Sequence, residues 1–189
     1  HFADLNNDGK INSSDQKIIG NGLPKGEGSL IDTFNYKNFQ LVVNLQFEYG
    51  NQVDWPTRYE LLDRTGIANS FSEVLNAWTP NHQNTNIAQI RPDAGYKLPA
   101  QNKSSWIFNG SFIRGKRILF AYHFPQNMIK KWNLKNLRVY IAADNLFLIT
   151  KYPGFDPEVS QHHGGFNQGV DQFAYPKSRI FQFGLNFSL

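Results

Sequence analysis

Apolar and polar side chains alternate without a break over the last nine residues, 181–189, with Phe181, Phe183, Leu185, Phe187 and Leu189 on one side. A period of two marks a strand with one oily face and one wet face. The same pattern predicts further strands over residues 30–36, 39–49, 111–124 and 137–147. In 39–49 the oily face carries Phe39, Leu41, Val43, Leu45, Phe47 and Tyr49, and the other face Gln40, Val42, Asn44, Gln46 and Glu48. In 111–124 it carries Ile118, Phe120, Tyr122 and Phe124, and in 137–147 Leu137, Val139 and Ile141, opposite Arg138 and Tyr140. Residues 1–28 are polar and Gly-rich and predict a loop; Lys37-Asn38 predicts a tight turn. Residues 50–105 hold no comparable strand, with a short helix expected over 70–77, and 125–136 reads as a moderate turn with a helical half-turn. The predicted organisation is a loop over 1–28, a hairpin over 29–50, a long loop over 51–109, a hairpin over 110–150, a loop over 151–177 and a terminal strand over 178–189.

The predicted strands run to about 10–14 residues, against about 5–6 for strands of soluble domains. A tilted strand crossing a bilayer needs about 9–11. The loops alternate short and long, as in membrane barrels with short periplasmic turns and long external loops. With the carboxyl end in the periplasm, 151–177, 50–105 and 1–28 fall outside, and 37–38 and 125–136 inside. The fold class expected is therefore all-β, an antiparallel transmembrane β-barrel fragment. A half-buried sheet of a soluble sandwich is the alternative.

Aromatic residues make up 15% of the chain (16 Phe, 8 Tyr, 4 Trp), which is rich for a soluble domain and ordinary for a barrel with aromatic girdles. There is no cysteine, which excludes disulfides and thiolate metal sites. The net charge of +4 is spread along the chain with no basic stripe, so nucleic acid is excluded as a partner. No apolar run approaches the roughly 20 residues of a membrane helix, which leaves a barrel open. No signal peptide opens the chain, which begins at His1 directly before a motif, as though cut from something longer.

That motif runs over residues 4–15. Asp4, Asn6, Asp8, Asn12 and Asp15 stand at loop positions 1, 3, 5, 9 and 12, with Gly9 at position 6 and Ile11 at position 8. Calcium takes six to eight hard oxygen ligands in a flexible cage, and this spacing supplies them. Asp4, Asn6 and Asp8 would bind through side chains, Lys10 through its carbonyl, and Asn12 directly or through water. Asp15 replaces the usual Glu with a shorter arm. The alternative is an Asx-rich turn holding no ion. A structural Ca2+ that stiffens an external loop is the cofactor expected.

Asn145-Leu146-Phe147-Leu148-Ile149-Thr150-Lys151-Tyr152, followed by Gly154-Phe155-Asp156-Pro157-Glu158, resembles the closing signature of the SusC/RagA-type TonB-dependent outer-membrane transporters of Bacteroidetes. Other blocks agree in order. They are Asp4 to Ile11, Ile18 to Asn21, Tyr36 to Phe39, Glu73 to Asn76 with Trp78 to Pro80, Gly110 to Arg114, and Tyr175-Pro176 with Arg179 and Phe183 to Asn186. Ser178, Gly115, Arg117 and Leu189 depart from the family pattern. The resemblance implies the last five strands and three external loops of a plugged barrel of about 22 strands. It implies import of oligosaccharides or peptides, with a SusD-like lipoprotein as lid and with TonB acting through an amino-terminal part that this chain lacks. It places the chain in the outer membrane of a Gram-negative bacterium, in contact with its lipid. Alone, five strands leave an open edge in lipid, so the isolated chain is expected neither to fold stably in a membrane nor to transport.

Asp156 and Glu158 sit two apart, and a functional reading would make them a glycosidase acid and base, but Pro157 and the signature favour a structured external loop. His162-His163 is a metal-binding alternative without a third ligand nearby in sequence. No local nucleophile motif is present, and no enzyme activity is expected. Trp55, Tyr59, Trp78, Tyr96 and Trp106, set among Asn, Gln and Asp, suit stacking on sugar rings, contact with the lid, or packing within the loop. Arg138 and Tyr140 are expected to face the lumen, and Tyr122, Phe124 and Tyr152 the membrane interfaces. Two rival functions remain. One is a soluble, calcium-stabilised β-sandwich that binds carbohydrate, and the other is a glycoside hydrolase fragment.

Overall fold

A computed structural model of the chain describes residues 3–62, 69–90, 104–159 and 168–189. The strands in chain order are β1 (Gly26–Tyr36), β2 (Phe39–Tyr49), β3 (Gln52–Asp54), β4 (Ile107–Asn109), β5 (Phe112–His123), β6 (Asn136–Asp144), β7 (Leu148–Thr150) and β8 (Ile180–Ser188). Two short helices, α1 (Pro56–Leu62) and α2 (Gln126–Ile129), lie in the connections. No helix of the described residues is long and apolar enough to cross a membrane, which says nothing of a β-barrel.

The five long strands form one antiparallel sheet in the order β1-β2-β5-β6-β8, with β7 continuing along β5 where β6 stops. They are nine to twelve residues long, the span expected above. Register keeps like with like, because period-two side chains opposite one another share a face. Phe39, Tyr122 and Val139 lie in one cross-strand row, and Leu41, Phe120, Ile141 and Phe183 in the next. This apolar face is open: Phe183 is 80% exposed. The opposite face is polar. There Arg138 donates to Gln40 (3.1 Å), Arg117 donates to Gln182 (3.2 Å), and Arg117 pairs with Asp144 (3.5 Å).

Within 50–105 the sequence reading missed β3 and α1, and the helix expected over 70–77 is a 3-10 turn at Ser72–Asn76; two further differences shape the wall. First, β1 starts at Gly26, inside the region expected to be loop. Strand propensity is lowest at glycine, but the rings of Tyr49 and Phe47 lie over Gly26 and Gly28 and fill the space a side chain would take. Second, the strand expected over 137–147 breaks at Asn145, which takes a left-handed φ of +52°. The break matches a bulge in β5 that leaves Lys116 unpaired with β2. Asn145 N–H donates to the Lys116 carbonyl and Leu146 N–H to the Gly115 carbonyl, while Gly115 N–H donates to the Phe147 carbonyl. The Phe147 ring sits where a Gly115 side chain would project, which accounts for Gly115 in that strand.

At the end of the sheet with the short connections, aromatic rings gather on the apolar face. Phe39 and Tyr122 have centroids 4.8 Å apart, and Tyr122 and Phe124 4.9 Å. Such a cluster at the end of an apolar stripe is the arrangement of an interfacial girdle.

Candidate functional site

At the opposite end, the long connections fold over the sheet as a cap with its own core. β3 leaves β2 through Gly50 (φ +81°) and pairs with β4. The core holds Val53, Trp55, Tyr152 and Val159, with Phe71, Phe108 and Ala174 packed against it. Trp55 is the hub. Its ring lies 5.6 Å from Tyr152, 5.8 Å from Phe108 and 5.9 Å from Phe71, in tilted or edge-on contacts that add to burial. Arg58 covers the outer side of Trp55 at 5.7 Å and is held there by both oxygens of Glu73 (3.1 and 2.6 Å). That pair lowers the Glu73 carboxyl below the usual range, mainly through its hydrogen bond to Arg58.

Polar rails tie the loops to one another. Tyr152 donates its hydroxyl to Asp171 at 2.5 Å, inside the core. Burial first, then the Asp171 hydrogen bond and charge, push the Tyr152 hydroxyl far above its ordinary value. Thr57 donates to the Asp171 carbonyl (3.1 Å) and accepts from Phe173 N–H (2.6 Å). Asp54 N–H donates to the Gly169 carbonyl and Asp171 N–H to the Asp54 carbonyl, a short parallel bridge. Below them Arg114, on the polar face of β5, reaches Asp156 (2.6 Å) and Glu158 (3.4 Å), and Lys177 pairs with Glu158. Residues 17–22, Gln52, Asp54, Ile107 and 168–170 line an open pocket of about 280 Å³. Asp54 Oδ1 is buried with no hydrogen-bond partner, and burial raises its carboxyl above the usual range.

The aromatic residues expected to meet substrate or lid separate into distinct environments. Trp55 and Trp106 are each 7% exposed, so their rings face protein and are packing residues in this structure. Trp78 is half-buried, its N–H bonded to the Ile87 carbonyl. Tyr59 lies in α1, and its side chain is outside the described set; Tyr96 lies outside the described residues altogether. Tyr152, expected at a membrane interface, is instead 4% exposed in the cap core, because Asp171 and Trp55 enclose it. Asp156 and Glu158 converge on one guanidinium rather than flanking an open cleft, the geometry of an anchor and not of an acid–base pair. His162 and His163 lie outside the described residues.

The loop over 4–15 closes on itself. Asp4 accepts from Gly9 N–H (2.8 Å) and Asp8 N–H (3.3 Å), and Asp8 accepts from Lys10 N–H (2.8 Å). Asp15 bridges the ends, accepting from Leu5 N–H (2.8 Å) and Asn12 N–H (2.9 Å). Those backbone donors, Asn12 first, hold the Asp15 carboxyl below its ordinary value of 3.8. Gly9 takes φ +78°, the left-handed turn that the sixth position requires. Asp4, Asn6, Asp8, Lys10, Asn12 and Asp15 are oxygen donors by type, but among the described residues no three acidic or histidine side chains gather as a group that could hold a metal ion, and the carboxylates are turned onto the loop's own N–H groups.

Sequence reasoning missed Arg114 and Asp171 as anchors. An arginine inside a strand of otherwise apolar and small neighbours was the available signal for the first. Asp171, in a polar stretch, gave none.

A long-stranded antiparallel sheet, oily on one face and polar on the other, with a folded cap at one end, is a segment of a transmembrane-type β-barrel. No protein-family model matches the chain. It is 34% identical to TonB-dependent receptor P3 of Formosa agariphila over 98% of its own length, and 30% identical to TonB-dependent receptor SusC of Bacteroides thetaiotaomicron over the same share. The solved RagAB peptide transporter superposes on 93% of the chain with a TM-score of 0.78 at 25% identity, and its "open-open" state on 88% with 0.73. The chain is part of a SusC/RagA-type TonB-dependent receptor. It spans 18% of P3, 17% of SusC and 19% of the RagAB chain.

Proposed function

We propose that this chain forms the carboxyl-terminal wall and external cap of a TonB-dependent outer-membrane importer of oligosaccharides or peptides that works with a SusD-like lipoprotein. The observation that carries the reading is the opposition of two faces on one sheet. A continuous apolar stripe crosses all five long strands, while Arg138, Gln40, Arg117, Gln182 and Asp144 interlock on the reverse. Lipid on one side and a watery lumen on the other are the surroundings that favour both. The wall and the cap break no bond in a cargo; the cap rigidifies the mouth of a conduit, and energy coupling belongs to parts outside these residues. The similarity to the RagAB peptide importer and to TonB-dependent receptors supports this reading. The apolar stripe is the expected surface for outer-membrane lipid. We further propose that the 4–15 loop holds a calcium ion, Asp4, Asn6, Asp8, Asn12 and Asp15 offering side-chain oxygens and Lys10 its carbonyl, and that the ion stiffens the entry to β1.

The sandwich alternative needs a second sheet against the apolar face. The second sheet among the described residues is the pair of three-residue strands β3 and β4, which belongs to the cap. The test is to blot outer-membrane fractions with an antibody to residues 181–189, boiled and unboiled. A band several-fold heavier than a 189-residue chain, shifting on boiling, supports the importer. A soluble band at this chain's own size defeats it.

A further inference from the structure

Asp32 occupies a position that the importer reading makes costly. On β1 the register places Tyr36, Phe34, Asp32 and Leu30 on the apolar face, opposite Phe39, Leu41, Val43 and Leu45 of β2. The row through Asp32 continues to Val43, Ile118, Ala143 and Phe181. No carboxylate or cation stands at the paired positions of this face in β2, β5, β6 or β8. Tyr36, 70% exposed beside the Lys37-Asn38 turn, marks the short-connection end. Asp32 is four residues further along, about 13 Å of strand, or about 10 Å toward the membrane middle at a tilt near 40°. Among the described residues no side chain pairs with its carboxylate.

We infer that Asp32 is an intramembrane docking group that holds β1 against the adjoining barrel strand, beyond these residues, through a hydrogen-bond donor on that strand's lipid-side face. The inference rests on the importer reading. A polar group in hydrocarbon without a partner is expensive, so a carboxylate there marks a partner. Three observations select the occupant. Among the described residues β1 is hydrogen-bonded to β2 alone, and no described strand pairs with its other edge. The chain spans under a fifth of its relatives, so most of their strands lie elsewhere. A strand on that edge would set a side chain within about 5 Å of Asp32 on the same face. Acyl chains offer no donor, and a second copy meeting this stripe about a twofold axis would oppose Asp32 with another Asp32.

The test uses the full-length receptor in outer-membrane fractions, following the temperature at which the compact unboiled band converts to the unfolded one. A heat-shifting wild-type band establishes the barrel; its absence defeats the importer reading separately. Asp32→Leu then lowers the conversion temperature by several degrees, or abolishes the compact band, because it orphans the donor. Asp32→Asn, which still accepts a hydrogen bond, recovers most of the loss. A Leu variant as stable as wild type or more so overturns the inference, since removing a bare polar group from a lipid face stabilises. An Asn variant no better than Leu overturns it too. So does a Leu variant of unchanged conversion temperature that loses a native-gel oligomer, which would make a second copy the occupant.

Discussion

Arg114 Nη2 lies 2.6 Å from Asp156 Oδ1, and the two side chains are 4% and 5% exposed. One end of this pair is in the wall, on β5, and the other is in the external connection after β7, so the contact fastens cap to barrel. The partners are not equivalent. Asp156 also accepts from Glu158 N–H (2.9 Å), and Arg114 has Glu158 as a second carboxylate at 3.4 Å. Arg114→Met removes the cation on which both carboxylates converge and should cost about 3–5 kcal/mol. Asp156→Asn keeps the shape and an acceptor, and should cost about 1–2 kcal/mol. Conversion temperatures of the full-length barrel on unboiled gels would rank them. Equal losses would contradict the asymmetry.

The Tyr152–Asp171 hydrogen bond gives a sharper test of the cap alone. Tyr152→Phe keeps the ring contacts with Trp55 and Phe108 and removes only the hydroxyl. It leaves Asp171 Oδ2 buried without its donor, at a cost of about 1–3 kcal/mol. Limited proteolysis of intact receptor should then cut the external loops faster, with the wall's conversion temperature little changed. An unchanged cleavage rate would mean the bond is dispensable.

Two glycines with equally tight surroundings should behave differently. A Cβ on Gly22 would lie 2.1 Å from the Gln168 carbonyl oxygen, and a Cβ on Gly184 would lie 2.1 Å from the Tyr140 ring. The first obstacle is backbone, held by Gly169 N–H to the Val159 carbonyl and Asp54 N–H to the Gly169 carbonyl. The second is the end of a side chain on the lumen face, which can turn away. Gly22→Ala should therefore loosen the cap measurably by proteolysis, and Gly184→Ala should leave the conversion temperature little changed because the Tyr140 ring turns aside. Cleavage of the Gly22→Ala receptor at the wild-type rate would show that the 20–23 crossing is not a tight contact.

Much of the wall was legible in advance because period two holds along the long strands apart from the bulge at Lys116 in β5, and both the apolar row and the polar residues of the other face follow from it. Arg138 and Tyr140 lie on the polar face as read. The cap was not legible. Trp55 and Tyr152 are far apart in sequence, and their mutual burial depends on β3 and β4 bringing the connections together, through strands only three residues long. Aromatics amid Asn and Asp left substrate contact, lid contact and loop packing open, and for Trp55 and Trp106 packing is the outcome. The break at Asn145 was hidden because the apolar rhythm continues through Leu146 and Phe147 while the backbone turns.

The 4–15 loop should respond to acid in a defined direction. Asp15 has a lowered carboxyl pKa, so its clamp on Leu5 N–H and Asn12 N–H is fully in place above the ordinary value of 3.8. The clamp is lost as pH falls through the lower folded value. Protection of these two amides, taken relative to the intrinsic exchange rate at each pH, should persist at pH 5 and fall below the usual Asp range. Calcium should slow exchange further at neutral pH, and Asp8→Ala should remove the calcium effect. Exchange indifferent to calcium would leave the loop an Asx-rich turn.

The most direct test of the account is topological. These 189 residues hold no cysteine; in a full-length receptor cleared of any cysteine elsewhere, single cysteines replace Leu75 and Tyr175 in the cap and Lys37 and Trp132 in the short connections. Leu75 and Tyr175 are 88% and 93% exposed, and Trp132 is 63% exposed. A membrane-impermeant maleimide applied to intact cells should label positions 75 and 175, and should reach 37 and 132 only after lysis. Labelling of all four on intact cells, or of 37 and 132 first, would contradict a barrel wall capped on the outside.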